Sequence, residues 1–217
     1  MPANAFKCFN NNFNTKKTSK TLINMIKKTI KMIIKNNNHY ISSPFSFSNR
    51  LKRFFWNLFQ NTIFRFSPKT FHSFRIIFLR LFGAKIGKYC RVYNKVKIWA
   101  PWNLIIENYV TIGDGVDVYN MAKIKIDSFS IISQRAFLCT GSHDYNSKNF
   151  PLYAKPIIIK KNTWICAEAF IHPGVTIEDG IVIGARSVVT RTLKKKWSVY
   201  TGNPAKYLTK RKKYKKK

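Results

Sequence analysis

An aliphatic residue returns every sixth position through the second half of this chain. Ile159, Ile165, Ile171, Ile177, Ile183 and Val189 keep that spacing without a slip. The same period holds at Ile86, Val92 and Ile98, then at Ile106, Ile112, Val118 and Ile124, and after a shift of two at Ile126, Ile132 and Leu138. Six is neither the helical period nor the strand period. It is the length of one short strand plus its corner. Side chains alternate along a strand, so one aliphatic residue per unit points inward, and three units close one turn of a prism. Stacked turns hydrogen-bond to one another and bury a continuous aliphatic column. The spacing predicts a parallel β-solenoid over residues 84–192 with about five to six turns. A β-sandwich would instead place turn signals about every 8–12 residues with no fixed period.

The flanks read differently. Residues 1–45 are Asn- and Lys-rich, and TLINMIKKTIKMII (21–34) spaces its apolar positions as a helix does. That stretch is either a short basic amphipathic helix resting on an anionic membrane surface or part of a disordered tail. Residues 46–83 are aromatic-rich and broken at Ser67-Pro68, which predicts two helical segments packed on the main domain as a lid or end cap, with a role at a membrane surface as the alternative. Residues 193–217 form a short basic C-terminal segment. The chain carries 40 Lys and Arg against 8 Asp and Glu, a net charge of +32, and its first acidic residue is Glu107. Such a surface attracts polyanions of any class, and sign alone does not choose among them.

Cys8, Cys90, Cys139 and Cys166 form no CxxC pair and suggest neither a disulfide framework nor a zinc site. Cys139 and Cys166 lie in apolar strand-like runs. A reducing cytoplasm is the simplest setting. No apolar run reaches the roughly 20 residues of a membrane span, and the first 20 residues do not resemble a secretory signal.

One histidine stands out. His143 follows the strand AFLCT (136–140) and a Gly-Ser corner, at the root of a stretch (144–155) that breaks the six-residue register until Pro156. An insertion leaving a regular solenoid makes a projecting loop, and such loops carry function. An imidazole there suits general-base work on a weak nucleophile. Its neighbour Asp144 points away if the strand continues. Glu168 is either a carboxylate that orients an imidazole from a facing subunit or an ordinary solvated side chain. Trp164 reads as packing at a turn edge and His172 as structural.

The segments IGDGVDVYN (112–120), ISQRAFLCTGSHDYNSKNF (132–150), PIIIKKNTWICAEAFIHPGVTIEDGIVIGARSVV (156–189) and GNPAKYL (202–208) resemble the hexapeptide-repeat acetyltransferases, and most of all the colanic acid biosynthesis branch. The likeness spans about residues 46–210. It implies an all-β, left-handed parallel β-helix, a homotrimer, and acetyl-CoA held in a cleft between neighbouring subunits. It also implies His143 as the base that activates a sugar hydroxyl, and Asn120 as a contact to the acceptor. Ala167, Gly184, Ala185 and Ser187 match donor-cleft positions, where small side chains let backbone groups grip the pantetheine arm. Lys206 and Arg211 are the cations nearest for the CoA phosphates. The expected acceptor is a saccharide or lipid-linked saccharide of an exported polysaccharide. No metal is expected.

Three rivals share parts of this pattern. A carbonic anhydrase on the same solenoid needs three His ligands, and the repeat holds only His143 and His172. An acyltransferase fed by an acidic acyl carrier protein would suit the basic charge. A nucleic-acid-binding module would too, but the terminal Lys run lacks interleaved aromatics, so no specific nucleic-acid partner is expected.

Overall fold

A computed structural model describes residues 19–28 and 45–213 of the 217-residue chain. The chain divides into two units, Met1–Pro44 and Phe45–Lys217. Within the first, residues 19–28 are helical with every side chain exposed. The sequence-predicted helix over 21–34 thus coincides with described residues only through 28, and its remainder lies outside them.

The second unit is a three-faced prism of stacked parallel strands. Its first face stacks β1 (Lys85–Ile86), β4 (Leu104–Ile106), β7 (Ile124–Ile126), β12 (Ile157–Ile159) and β15 (Thr176–Ile177). Its second stacks β2 (Arg91–Val92), β5 (Thr111–Ile112), β8 (Ile131–Ile132), β13 (Trp164–Ile165), β16 (Val182–Ile183) and β18 (Ser198–Thr201). Its third stacks β3 (Lys97–Ile98), β6 (Asp117–Tyr119), β9 (Phe137–Cys139), β14 (Phe170–Ile171) and β17 (Val188–Val189). The registers are those of the repeat: Ile112 faces Ile132, Ile132 faces Ile165, and Ile165 faces Ile183.

All six residues of the unbroken series are fully buried. The two-residue shift has a local cause. β4, β7 and β12 are three residues long with both ends inward, so Ile124 and Ile126 are both buried while Lys125 points out. The extra length sits at the corner between the third and first faces. Corners between the first and second faces place Tyr89, Tyr109, Phe129, Asn162, Gly180 and Trp197 at positive φ. The next corner does the same at Gly115, Arg135, Glu168, Arg186 and Gly202. This left-handed backbone is uncommon for aromatic residues. Here the rings stack instead: Tyr89 lies 4.9 Å from Tyr109, and Tyr109 lies 5.0 Å from Phe129.

A solenoid leaves unpaired backbone groups at its first coil, an edge that must be covered. Helix α1 (Phe47–Phe59), the π turn Gln60–Phe64 and helix α2 (His72–Leu81) cover it with side chains. The Trp56 indole N–H donates to Ile98 O at 2.6 Å, and Gln60 Oε1 accepts from Ile98 N–H at 2.6 Å. Arg75, fully buried, donates from Nε to Val92 O at 2.7 Å. Its other nitrogens donate to Ser67 Oγ, Pro68 O and Lys69 O. Arg80 donates to Ile86 O and Gly87 O. Each strand of the first coil is thereby met, and the 46–83 segment is an end cap.

The solenoid does not stop at residue 192 as its period suggests. β18 continues the second face, pairing Val199 with Val182 and Tyr200 with Ile183. The chain then turns back as β19 (Lys206–Lys210), antiparallel to β18. Tyr200 stands where the aliphatic residue of each earlier coil stands, which hides this last coil from a search for Ile and Val. So residues 198–210 are two paired strands joined by a turn.

Candidate active site

The loop that interrupts the repeat is a hairpin. β10 (Gly141–His143) pairs with β11 (Leu152–Ala154), with His143 opposite Leu152. It leaves the prism at the corner after β9. Thr140 fastens its base: the hydroxyl donates to Tyr119 O at 2.8 Å and accepts from Ala122 N–H, while Lys155 N–H returns to Thr140 O. A Cβ on Gly141 would meet Met121 Sδ and lie 3.1 Å from the Tyr119 ring, so a larger residue here would displace the Met121 side chain.

His143 is exposed near the hairpin's end, and its Nδ1 lies 2.5 Å from Phe150 O. A carbonyl only accepts, so in the neutral ring Nδ1 carries the hydrogen and Nε2 the lone pair. Asp144 does not touch the ring. Its carboxylate accepts from Asn146 N–H at 3.0 Å and from Ser147 Oγ–H at 2.6 Å, bonds that hold its pKa below the usual carboxylate range. The turn that carries the Phe150 carbonyl is therefore built by Asp144. Phe150 and Ser147 escaped the sequence reading, although Asp followed by Asn and Ser is a turn signal.

The donor residues expected from sequence gather partly. Ala167 and Ala185 occupy the same corner in consecutive coils, between the second and third faces, joined by Arg186 N–H to Ala167 O at 3.0 Å. Ala185 is exposed and Ala167 half-buried. Lys206, exposed, sits opposite Thr201 beside the next coil of that corner. Ser187 is different: it is fully buried, and its hydroxyl accepts from Gly202 N–H at 3.1 Å, so it ties coils together. Gly184 is set by packing as well, because an added Cβ would lie 2.7 Å from Thr201 Oγ1.

Three expected site residues are engaged elsewhere. Asn120, expected against the acceptor, is fully buried. Its Oδ1 accepts from Ala100 N–H at 2.9 Å and its Nδ2 donates to Ala100 O at 2.6 Å, so it splices two coils at a corner. Glu168, read as an orienter of imidazole, is bracketed in its own corner column by Arg135 and Arg186, at 2.8 and 2.5 Å from their Nε atoms. Those bonds hold its pKa low. Arg211, expected on a phosphate, donates from Nη1 to Asn162 O and Gly180 O, at the corner between the first and second faces. It lies on a different edge of the prism from Ala167 and Ala185.

Among the described residues no cysteine is poised as a nucleophile. Burial pushes the Cys139 and Cys166 thiols up, away from the reactive thiolate. Cys139 is buried and reaches Gly141 O at 3.1 Å. Trp164 is exposed at the edge of β13, with its indole N–H donating to Ser133 Oγ at 2.9 Å. The His172 ring lies against Phe170. Among the described residues no helix is long and apolar enough to cross a membrane.

No family model matches the sequence. Individual proteins do. The chain is 44% identical over 165 residues to the WcaF protein of Escherichia coli (strain K12), whose name assigns it provisionally to acetyl transfer in colanic acid biosynthesis. That likeness covers 76% of this chain and 90% of the relative. Among solved structures, a maltose O-acetyltransferase from Clostridium difficile 630 superposes with a TM-score of 0.71 at 23% identity, covering 77% of this chain and 90% of that one. A galactoside acetyltransferase in complex with coenzyme A gives 0.64 at 24% identity, covering 77% and 84%. These superpositions show that the fold is shared with those enzymes. Repeat, capped solenoid, projecting hairpin and a relative matched along nine-tenths of its length agree, and the chain belongs to the hexapeptide-repeat acetyltransferases.

Proposed function

We propose that this enzyme moves an acetyl group from acetyl-CoA to a sugar hydroxyl during polysaccharide biosynthesis, with His143 as general base. The acceptor oxygen attacks the thioester carbon as Nε2 takes its proton. The C–S bond breaks, and the imidazolium returns the proton to the departing CoA sulfur. Backbone N–H groups lining the cleft stabilise the oxyanion. The observation carrying this reading is the Nδ1–H to Phe150 O bond, which leaves Nε2 as the basic nitrogen on an exposed ring. The relative's name supports the acceptor class, a saccharide unit that is free or lipid-linked.

The working enzyme in this reading is a homotrimer in the cytoplasm. His143 rises from the corner between the third and first faces, whereas Ala167, Ala185 and Lys206 lie at the corner between the second and third. One protomer thus carries base and donor residues on different edges, and a neighbouring copy brings them together across a cleft. The test is a transfer screen with acetyl-CoA against nucleotide sugars and lipid-linked sugars, His143→Ala being the control. Acetylated product that needs His143 supports the proposal. Transfer that persists in His143→Ala sinks the base assignment, and an enzyme idle with acetyl-CoA but active with acyl carrier protein sinks the donor.

A further inference from the structure

Helix α1 carries two apolar stripes, and the solenoid covers only one. Trp56 and Phe59 face the first coil, with Trp56 fully buried. On the opposite side Phe47, Leu51, Phe54, Phe55 and Leu58 follow i, i+4, i+7, i+8 and i+11 spacing, and their exposures run from 46% to 72%. At helical periodicity they share an arc of about 100°, the width of a face built to be covered. Phe66 beyond the π turn is 81% exposed, and Ile77 and Leu81, one turn apart on α2, are 54% and 74% exposed. Taking about 200 Å² per large side chain, the α1 stripe alone leaves on the order of 500 Å² of apolar surface in water, at the upper end for a monomer.

The charge around this face decides what covers it. Arg50, Lys52, Arg65, Lys69 and Arg80 are exposed on the same helical cap, and no carboxylate occurs before Glu107. A second copy docking here would oppose cations to cations. A partner must offer apolar depth beneath negative charge. An anionic bilayer does so: acyl chains take the Phe and Leu side chains, while Lys and Arg reach up to phosphate groups.

We infer that the outer stripe of α1 seats the enzyme on an anionic membrane surface, with α2 contributing Ile77 and Leu81. The cap holds the first coil through Trp56, Gln60, Arg75 and Arg80. The solenoid and its hairpin are therefore fixed relative to the bilayer. This surface includes neither His143 nor any residue of the 19–28 helix.

The full-length chain is sedimented with vesicles of phosphatidylcholine alone and of equimolar phosphatidylcholine and phosphatidylglycerol. The expected result is strong partitioning onto the anionic vesicles and little onto the neutral ones. Phe47→Ser, Phe54→Ser and Leu58→Ser together should weaken partitioning about tenfold or more, while turnover on a soluble acceptor and the thermal midpoint stay unchanged. Undiminished partitioning of the triple variant would overturn the inference, since the chain's net charge of +32 would then suffice. So would a fall in lipid-free molar mass on substitution, which would mean that another copy covers the stripe. Wild-type protein that ignores anionic vesicles would leave an acidic protein as the partner and refute the membrane.

Discussion

The Nδ1 atom of His143 lies 2.5 Å from the carbonyl oxygen of Phe150, across the turn that Asp144 organises. The contact settles the tautomer, because a carbonyl offers no hydrogen. Replacing His143 with Ala should lower turnover by about 10²–10⁴. Acetyl-CoA binding, read by calorimetry, should stay nearly unchanged, because the Ala167 and Ala185 corner is untouched.

Asp144 acts on the ring only through the turn. Its pKa is depressed, so the stabilisation it gives is fully present above the unfolded value of about 3.9 and is lost as pH falls through the lower folded value. The protection of the Asn146 and Asp144 amides, taken relative to their intrinsic exchange rate at each pH, should therefore hold near neutrality and fall below about pH 4. Asp144→Asn should show low protection at both pH values and a lower kcat with little change in KM.

A covalent route through sulfur predicts a different pattern of losses. With the Cys166 thiol pushed up by burial, Cys166→Ala should change activity by less than about threefold, and intact-mass spectrometry should find no acetylated enzyme. Lys206→Ala should mainly raise the KM for acetyl-CoA.

The column itself is tested at Ile171, which is fully buried on the third face. Ile171→Val should cost about 1 kcal/mol and Ile171→Ala about 3 kcal/mol in denaturant melts. Ile171→Asp, placing an unpaired charge in a dry column, should give no folded protein.

Arg75 makes a prediction that the repeat does not. Among the described residues no carboxylate pairs with its guanidinium, which sits among carbonyls of Val92, Pro68 and Lys69. Burial lowers its pKa, yet it stays protonated throughout the range in which proteins fold. Arg75→Met should cost about 3 kcal/mol or more by orphaning those oxygens, and Arg75→Lys should rescue little, because one ammonium cannot span the fork. Thermal melts check the order of the three proteins.

What the sequence disclosed follows from what a period can carry. Ile159 through Val189 revealed face, register and burial, because inward positions recur at fixed spacing. The break after His143 revealed a projecting loop for the same reason, though not that its two arms pair as strands. The backbone bonds of Asn120 and Arg211 were not legible, because a polar side chain near a motif looks alike whether it meets a ligand or a backbone. Only the Ala100 amide group, 20 residues from Asn120, distinguishes the two. Glu168 resembled a lone carboxylate, since its partners Arg135 and Arg186 belong to other coils. The coil at Ser198–Thr201 escaped because Tyr200 took the aliphatic place. The end cap was legible as helices, but the pairing of Trp56 and Gln60 with Ile98 spans about 40 residues and leaves no periodic trace.

That pairing also has a bearing on length. An indole N–H and an amide oxygen, offered by two side chains one helical turn apart, present to Ile98 the same donor and acceptor that another strand would. They are a counterfeit peptide group. A stack of identical rungs contains no instruction about where to begin, and any naked first rung is a template for polymerisation. Here the template is already occupied by an imitation that cannot itself be extended, so the ladder ends in a stopper and the enzyme remains a discrete particle rather than the start of a fibre.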